Sequence, residues 1–290
     1  MIPPAFDYHA PGTLDEAIEL LSKHGDGAKV LSGGQSLLPL LKLRLAYIEH
    51  LVDIGRIPGL DYIKEEGGQL KIGGRTREVE LERSDLIRDK YPILADATVV
   101  IADPLVRNMA TVGGNLAHGD PANDHPAVML ALGAEIVARG PKGERTIPAR
   151  DFFRGLFDTA LEADEVLTEI RIPSPPTGSG GAYVKLERKV GDYATAATAA
   201  QVTLKGGGVS GAGIGLTAAG PTPIKAEAAE QYLVSQGNTD EATIAEAARL
   251  ASEGASPTED RRGSVEYKRA MCRVMTQRAL RRAIERAGGR

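Results

Sequence analysis

Residues 13 to 21 read Thr-Leu-Asp-Glu-Ala-Ile-Glu-Leu-Leu, with apolar positions at 14, 17, 18 and 21 on one helical face. Thr13 and Glu16 have the spacing of a capping box, and Gly25 and Gly27 end the helix. Lys29-Val30-Leu31 then reads as a short buried strand running into Ser32-Gly33-Gly34-Gln35-Ser36, with Pro39 near the start of a following helix. Alternating or continuous apolar runs predict strands at 50–54 and 69–74, then helices at 78–86 and 91–100. A helix is predicted from Asp124, with Pro126 in its first turn and Gly133 as its stop. A hairpin turning at residues 140–143 and a strand at 166–172 complete this part.

Residues 173–181, Pro-Ser-Pro-Pro-Thr-Gly-Ser-Gly-Gly, predict a linker or an exposed crossing. Beyond it, strands at 182–189, 195–204 and 209–220 have short connections, which predicts a three-stranded antiparallel sheet. Helices near 225–235, 240–253 and 264–287 follow. The last carries an apolar stripe (Met271, Val274, Met275, Ala279, Leu280, Ile284) that reads as packing. The arginines around it, Arg269, Arg273, Arg278, Arg281, Arg282 and Arg286, read as a solvated face or a partner surface. The fold class is α+β.

Composition narrows the function. The chain has 290 residues, a net charge of −4 and no strongly basic block before its last helix, which argues against nucleic acid as a partner. It offers no run of 18 apolar residues and no signal-type leader, so the expected location is the cytoplasm. Cys272 is the one cysteine, so neither an internal disulfide nor a four-thiolate iron–sulfur cluster can form on this chain. Redox work here would need a bound organic cofactor.

Candidate chemistry concentrates between Asp103 and Pro126. Thr111-Val112-Gly113-Gly114-Asn115 resembles a phosphate-binding turn: glycines let backbone N–H groups approach a phosphate, and Thr111 and Asn115 can hydrogen-bond it. Asp124, ten residues past Gly114, can accept from the hydroxyls of a sugar or ribityl chain. Residues 32–36 form a second loop of this kind, although one such loop alone reads rather as a tight structural turn; it lacks Walker spacing. Residues 206–211 match Gly-x-Gly-x-x-Gly as a string, but a strand follows where a dinucleotide site needs a helix, so a hairpin turn is expected. His118, Asp120, Asp124 and His125 lie close in sequence, but in a broken loop they read as a sugar-binding carboxylate with incidental histidines; no metal is expected. No serine–histidine or cysteine–histidine set can be argued from spacing.

The two glycine segments about 75 residues apart, together with Asp124 and the stretches IADPLVRNMATVGGN, GDPANDHPA, RIPSPPTG and KLERKVGDYATAA, closely resemble the FAD-binding medium subunits of molybdenum hydroxylases, the xanthine dehydrogenase family, and among them the aerobic carbon monoxide dehydrogenase type. The resemblance implies a two-part FAD domain of the p-cresol methylhydroxylase or vanillyl-alcohol oxidase type over residues 1–177, with parts at about 1–55 and 56–177, and a C-terminal α+β domain over 178–290. It implies that Ser32, Gly33, Gly34, Gln35 and Ser36, with Thr111, Gly113, Gly114 and Asn115, wrap the FAD pyrophosphate. Leu31, Leu37, Ala110 and Ala117 flank these segments and are implied contacts as well. Asp124 is implied to hold a cofactor hydroxyl, and Leu167, Lys185 and Ile101 to border the isoalloxazine. Tyr193, beside Asp192, is implied to lie against the flavin. Gln35 departs from the histidine common there, and leaves the backbone cradle intact.

The same resemblance implies non-covalent FAD, a small partner subunit with two [2Fe–2S] clusters and a large one with molybdopterin, as a dimer of heterotrimers. This chain would then pass electrons from the clusters through FAD to quinone or another acceptor, with no residue of its own acting on the reducing substrate. Carbon monoxide, purines, N-heterocycles and aldehydes remain as substrates of such a complex. A self-sufficient flavoenzyme and a non-catalytic nucleotide-binding scaffold are the competing classes; few candidate bases among the Ala/Gly-rich residues after the FAD domain argue against the first.

Overall fold

The computed structural model describes residues 2–289. Its first unit is a parallel sheet of β1 (Asp7–His9), β2 (Ala28–Leu31) and β3 (His50–Asp53), ordered β1-β3-β2. Helix α1 (Leu14–His24) crosses from β1 to β2, with the Thr13–Glu16 capping box formed in both directions. Ala17, Ile18 and Leu21 are its buried face, packing with Val52, Ile54 and Ile57. The short helix α2 (Leu37–Lys42) follows the first glycine loop.

A five-stranded antiparallel sheet comes next, built from β4 (Ile63–Glu66), β5 (Gln69–Gly73), β6 (Glu135–Gly140), β7 (Gly143–Pro148) and β10 (Val166–Pro173), in the order β4-β5-β10-β6-β7. Between β5 and β6 run six helices: α3 (Glu78–Arg83), α4 (Asp85–Lys90), α5 (Pro92–Val99), α6 (Pro104–Arg107), α7 (Val112–His118) and α8 (Asp124–Leu132). The predicted helix at 78–86 is thus two, because the Ser84 side chain caps a new helix by accepting from Ile87 N–H. The short helix α9 (Ala149–Phe152) and the small hairpin β8 (Phe153–Gly155) with β9 (Asp158–Thr159) precede β10. Ile72, Ile136, Ile170 and Phe152 lie in one core with Ile93, Leu94 and most of α8.

The last sheet corrects the predicted three strands to four: β11 (Ser179–Leu186), β12 (Ala196–Lys205), β13 (Gly208–Thr217) and β14 (Ile224–Lys225), in sequential antiparallel order. The two-residue β14 stands where the helix predicted near 225–235 would begin, and is too short to show a period of two. The linker is also shorter than predicted, since Ser179, Gly180 and Gly181 are already strand. Residues 206–207 form the predicted hairpin turn. The small residues of β13 allow α8 to lie directly on the sheet: a Cβ at Gly213 or Gly215 would fall 2.0 Å from the carbonyl oxygen of Ala131 or Ala127.

Helices α10 (Glu227–Gln236), α11 (Glu241–Glu253) and α12 (Val265–Ala287) cover the other face. Met275, Ala279 and Leu280 of the α12 stripe are buried with Cys272 and Thr276, Met271 and Ile284 pack partly against the same core, and Val274 is only half-buried. Its arginines divide. Arg286 donates to Asp96 of α5 at 2.6 and 3.0 Å, Arg282 reaches the same carboxylate at 3.1 Å, and Arg281 pairs with Glu241. These three, and Arg269 on the Ala255 carbonyl, are therefore tied within the chain, although all but Arg286 remain exposed, as are Arg273 and Arg278. Among the described residues no helix is long and apolar enough to cross a membrane.

Candidate functional site

The three units meet around a cleft of about 640 Å³, within the roughly 300–1,000 Å³ typical of sites for whole organic ligands. One wall is the turn between β2 and α2. There the N–H groups of Gly33, Gly34, Gln35 and Ser36 donate to no acceptor among the described residues. Gly34 holds a left-handed φ of 72°, which a side chain would strain. At Gly33 a Cβ would sit 2.3 Å from the Met109 carbonyl oxygen, so the turn can lie this close to the second segment only without a side chain.

The second wall is α7. Thr111 is its N-cap and accepts from Gly114 N–H at 3.2 Å. Unlike the first turn, its backbone donors are engaged: Val112 N–H meets Thr76 O and Gly113 N–H meets Gly74 O. The expectation that both glycines here open N–H groups to a phosphate is therefore revised. Gly113 is required by packing, since its Cβ would fall 2.3 Å from the Gly74 carbonyl oxygen. Gly114 has only Thr111 Oγ1 close by, at 2.7 Å, and lines the cleft. The two walls are joined by a 2.9 Å hydrogen bond between Ser32 and Thr111 hydroxyls. Asn115 carries a buried Oδ1 with no partner among the described residues, a polar group suited to a ligand.

Asp124, at the start of α8, is buried and accepts from Tyr183 at 2.6 Å and from Lys185 at 3.0 Å. Lys185 also donates to the Val100 carbonyl and lies 3.5 Å from Glu187. Burial pushes the Asp124 carboxyl above its usual range, against the opposing pull of Lys185, Tyr183 and His125. Burial and the Asp124 charge push the Tyr183 phenol well up, so it stays a donor. Behind this group, His125 pairs with Glu78 at 2.7 Å, both fully buried. Burial lowers the His125 pKa, but the Glu78 carboxylate and then Asp124 outweigh that, and it ends above the ordinary imidazole value.

All the predicted cofactor contacts line this one cleft except Leu31, which is half-buried beside Leu37 and Leu38 in a small core with Leu41, Ile48 and Leu51. Asp192 lines it and also braces the turn of Tyr193, accepting from Arg188 and Arg262. Tyr193 stands at the mouth, 45% exposed. His118, Asp120, Asp124 and His125 do not form a ligand set: His118 faces Phe157, Asp120 turns on Ala122 N–H, and the other two are paired as above. Sequence reasoning missed Tyr183, Phe157 and Arg107. Arg107 is held by Glu82 and donates to the Ile101 carbonyl, fixing the loop where Ala102 takes a left-handed φ of 46°. A buried tyrosine in a small-residue strand carries no sequence signal of its own.

The chemistry of this lining fits a phosphorylated, largely planar cofactor: donors without acceptors at one wall, an orphan amide at the other, a polar buried centre and an aromatic mouth. Residues 4–175 match the family described as the FAD binding domain in molybdopterin dehydrogenase. Residues 181–283 match the CO dehydrogenase flavoprotein C-terminal domain. The chain is 48% identical over 286 residues to the carbon monoxide dehydrogenase medium chain of Hydrogenophaga pseudoflava, covering 99% of both. A structure of carbon monoxide dehydrogenase from that organism, lacking the Mo-pyranopterin moiety of the molybdenum cofactor, superposes with a TM-score of 0.96 at 49% identity, covering 99% of each chain. Quinoline 2-oxidoreductase from Pseudomonas putida 86 superposes at 0.92 with 36% identity, again over 99% of each chain. The chain belongs to the FAD-binding medium subunits of the molybdenum hydroxylases, of the carbon monoxide dehydrogenase type, and is an oxidoreductase subunit.

Proposed function

We propose that this chain holds FAD non-covalently in the cleft and carries electrons between a small [2Fe–2S] subunit and an external acceptor such as quinone, within a complex whose large molybdopterin subunit oxidises carbon monoxide with water to carbon dioxide. The observation that carries this reading is the cleft itself, which gathers both glycine segments, Asp124, Lys185 and Tyr193 from three separate units. The N–H groups of Gly33 to Ser36 would take the pyrophosphate, with Asn115 beside it. Remaining lone pairs of Asp124 would accept a cofactor hydroxyl while Tyr183 and Lys185 hold its carboxylate in place. Leu167, Ile101 and Tyr193 would flank the ring system. Bound flavin supplies a carrier that accepts electrons singly and releases them in pairs.

A dimer of heterotrimers, and FAD-domain and C-terminal parts meeting at 177–178, complete the reading. The self-sufficient alternative is disfavoured because Asp124 and Lys185 are committed to each other and the lone cysteine is buried on α12. An N-heterocycle as the reducing substrate is the second reading, supported by the similarity to quinoline 2-oxidoreductase.

Acid precipitation of the flavin-loaded chain should leave all yellow colour in the supernatant; colour in the pellet would contradict non-covalent binding. The deciding experiment is anaerobic. Carbon monoxide should bleach the flavin band at about 450 nm in the complex and leave the isolated subunit unchanged. Bleaching of the complex by quinoline but not by carbon monoxide would establish the second reading. Equal bleaching of the lone subunit would establish the self-sufficient one.

A further inference from the structure

The other conspicuous cluster lies away from the cleft. His9 ends β1, His24 ends α1 and His50 opens β3, and one nitrogen from each ring lies within 4.8 Å of the other two. No other group of three such residues with this spacing occurs among the described residues. The His9 Nε2 and His50 Nδ1 atoms are 3.3 Å apart. Two nitrogens bound at zinc's usual 2.0–2.1 Å and tetrahedral angle are themselves about 3.3 Å apart. The His24 ring lies beside His50, tilted by 35° with centroids 3.7 Å apart, and its Nε2 is shielded from solvent with no hydrogen-bond partner among the described residues. Asp7 Oδ2 lies 3.5 Å from His50 Nδ1 on the exposed side.

From this geometry we propose that His9, His24 and His50 bind a divalent transition cation, zinc being the natural fit, with Asp7 or water as fourth ligand. Imidazole suits such borderline cations and a carboxylate balances the charge. Asp7 is largely exposed, so a cation can enter from that side. His50 pairs with Ala28 across the sheet, and β2 then runs three residues to Leu31 before the glycine turn. The cation would therefore pin the ends of β1, α1 and β3 about 10 Å or more from the cofactor wall. Its role is to staple a small parallel sheet, and it does not depend on which cofactor or substrate the cleft serves.

The test uses the full-length chain without an affinity tag, stripped with EDTA and titrated with Zn²⁺ by calorimetry. One equivalent should bind and remain after gel filtration, raising the unfolding temperature. His24→Ala and His50→Ala should each weaken binding by more than about 100-fold, the upper end of what even an outer-shell partner contributes. No retained zinc in the unmodified chain would overturn the proposal, leaving the rings as a hydrogen-bonded stack. Undiminished binding by the triple alanine variant would overturn it equally. Should the variants not fold, X-ray absorption at the zinc edge of the unmodified chain decides. Three imidazole ligands support the site, and fewer than three overturn it.

Discussion

The segments 32–36 and 111–115 look alike as strings, each a polar residue and a glycine pair closed by another polar residue, yet they do different work. The first is a turn whose N–H groups have no acceptor among the described residues, so its backbone is open to a ligand. The second is the first turn of a helix whose donors are satisfied internally, so it contributes an orphan side-chain oxygen and the space left by Gly114. A glycine pair can thus leave its N–H groups open or have them taken up within the fold. Only the neighbouring carbonyls decide which.

Substitution at the paired glycines should separate the two meanings most strongly. Gly113→Val forces a side chain against the Gly74 backbone, which cannot move aside. At about 3 kcal/mol, the upper end of ordinary overpacking, it should lower the melting temperature of the flavin-free chain by roughly 6–12 °C. Gly114→Val meets mainly the Thr111 hydroxyl, so it should shift that temperature by only about 2–4 °C for a lost hydrogen bond of about 1 kcal/mol. Its main effect should be loss of most FAD affinity, read by titrating the flavin-free chain. If the two variants melt alike, the distinction between them is wrong.

The second segment is also tied to a buried ion pair that the first lacks. Glu78 N–H donates to the Ala110 carbonyl just before Thr111, and its carboxylate meets His125. Because the folded His125 pKa is raised, the stability it brings is complete below the unfolded value of about 6.5 and lost as pH rises through the folded one. Each unit of elevation is worth about 1.4 kcal/mol. Urea midpoints measured from pH 6.5 to 9 should fall for the unmodified chain and flatten for Glu78→Gln. Equal slopes would remove this pair as the anchor. The smallest effect belongs to Ser32→Ala, which cuts the hydroxyl link between the walls and should cost about 0.5–1.5 kcal/mol of stability. A double-mutant cycle with Thr111→Ala measures the coupling directly; no coupling would mean that the walls hold their places independently.

Local order determined what the chain alone could announce. The capping box of α1, the helix from Asp124 to its stop at Gly133, the hairpin at 206–207 and the packing stripe of α12 are each specified within a few turns, and all are where their residues place them. The family, and with it the cofactor class, was legible because the two glycine segments and Asp124 recur as a combination. What escaped depended on partners distant in sequence. Tyr183 reaches Asp124 across 59 positions, Arg286 reaches Asp96 across 190, and the three histidines come together only when β1, α1 and β3 close. The different fates of Gly113 and Gly114 belong to the same class. A glycine states only that a side chain is missing; whether a backbone or a cleft fills that space is decided by what the tertiary fold brings alongside.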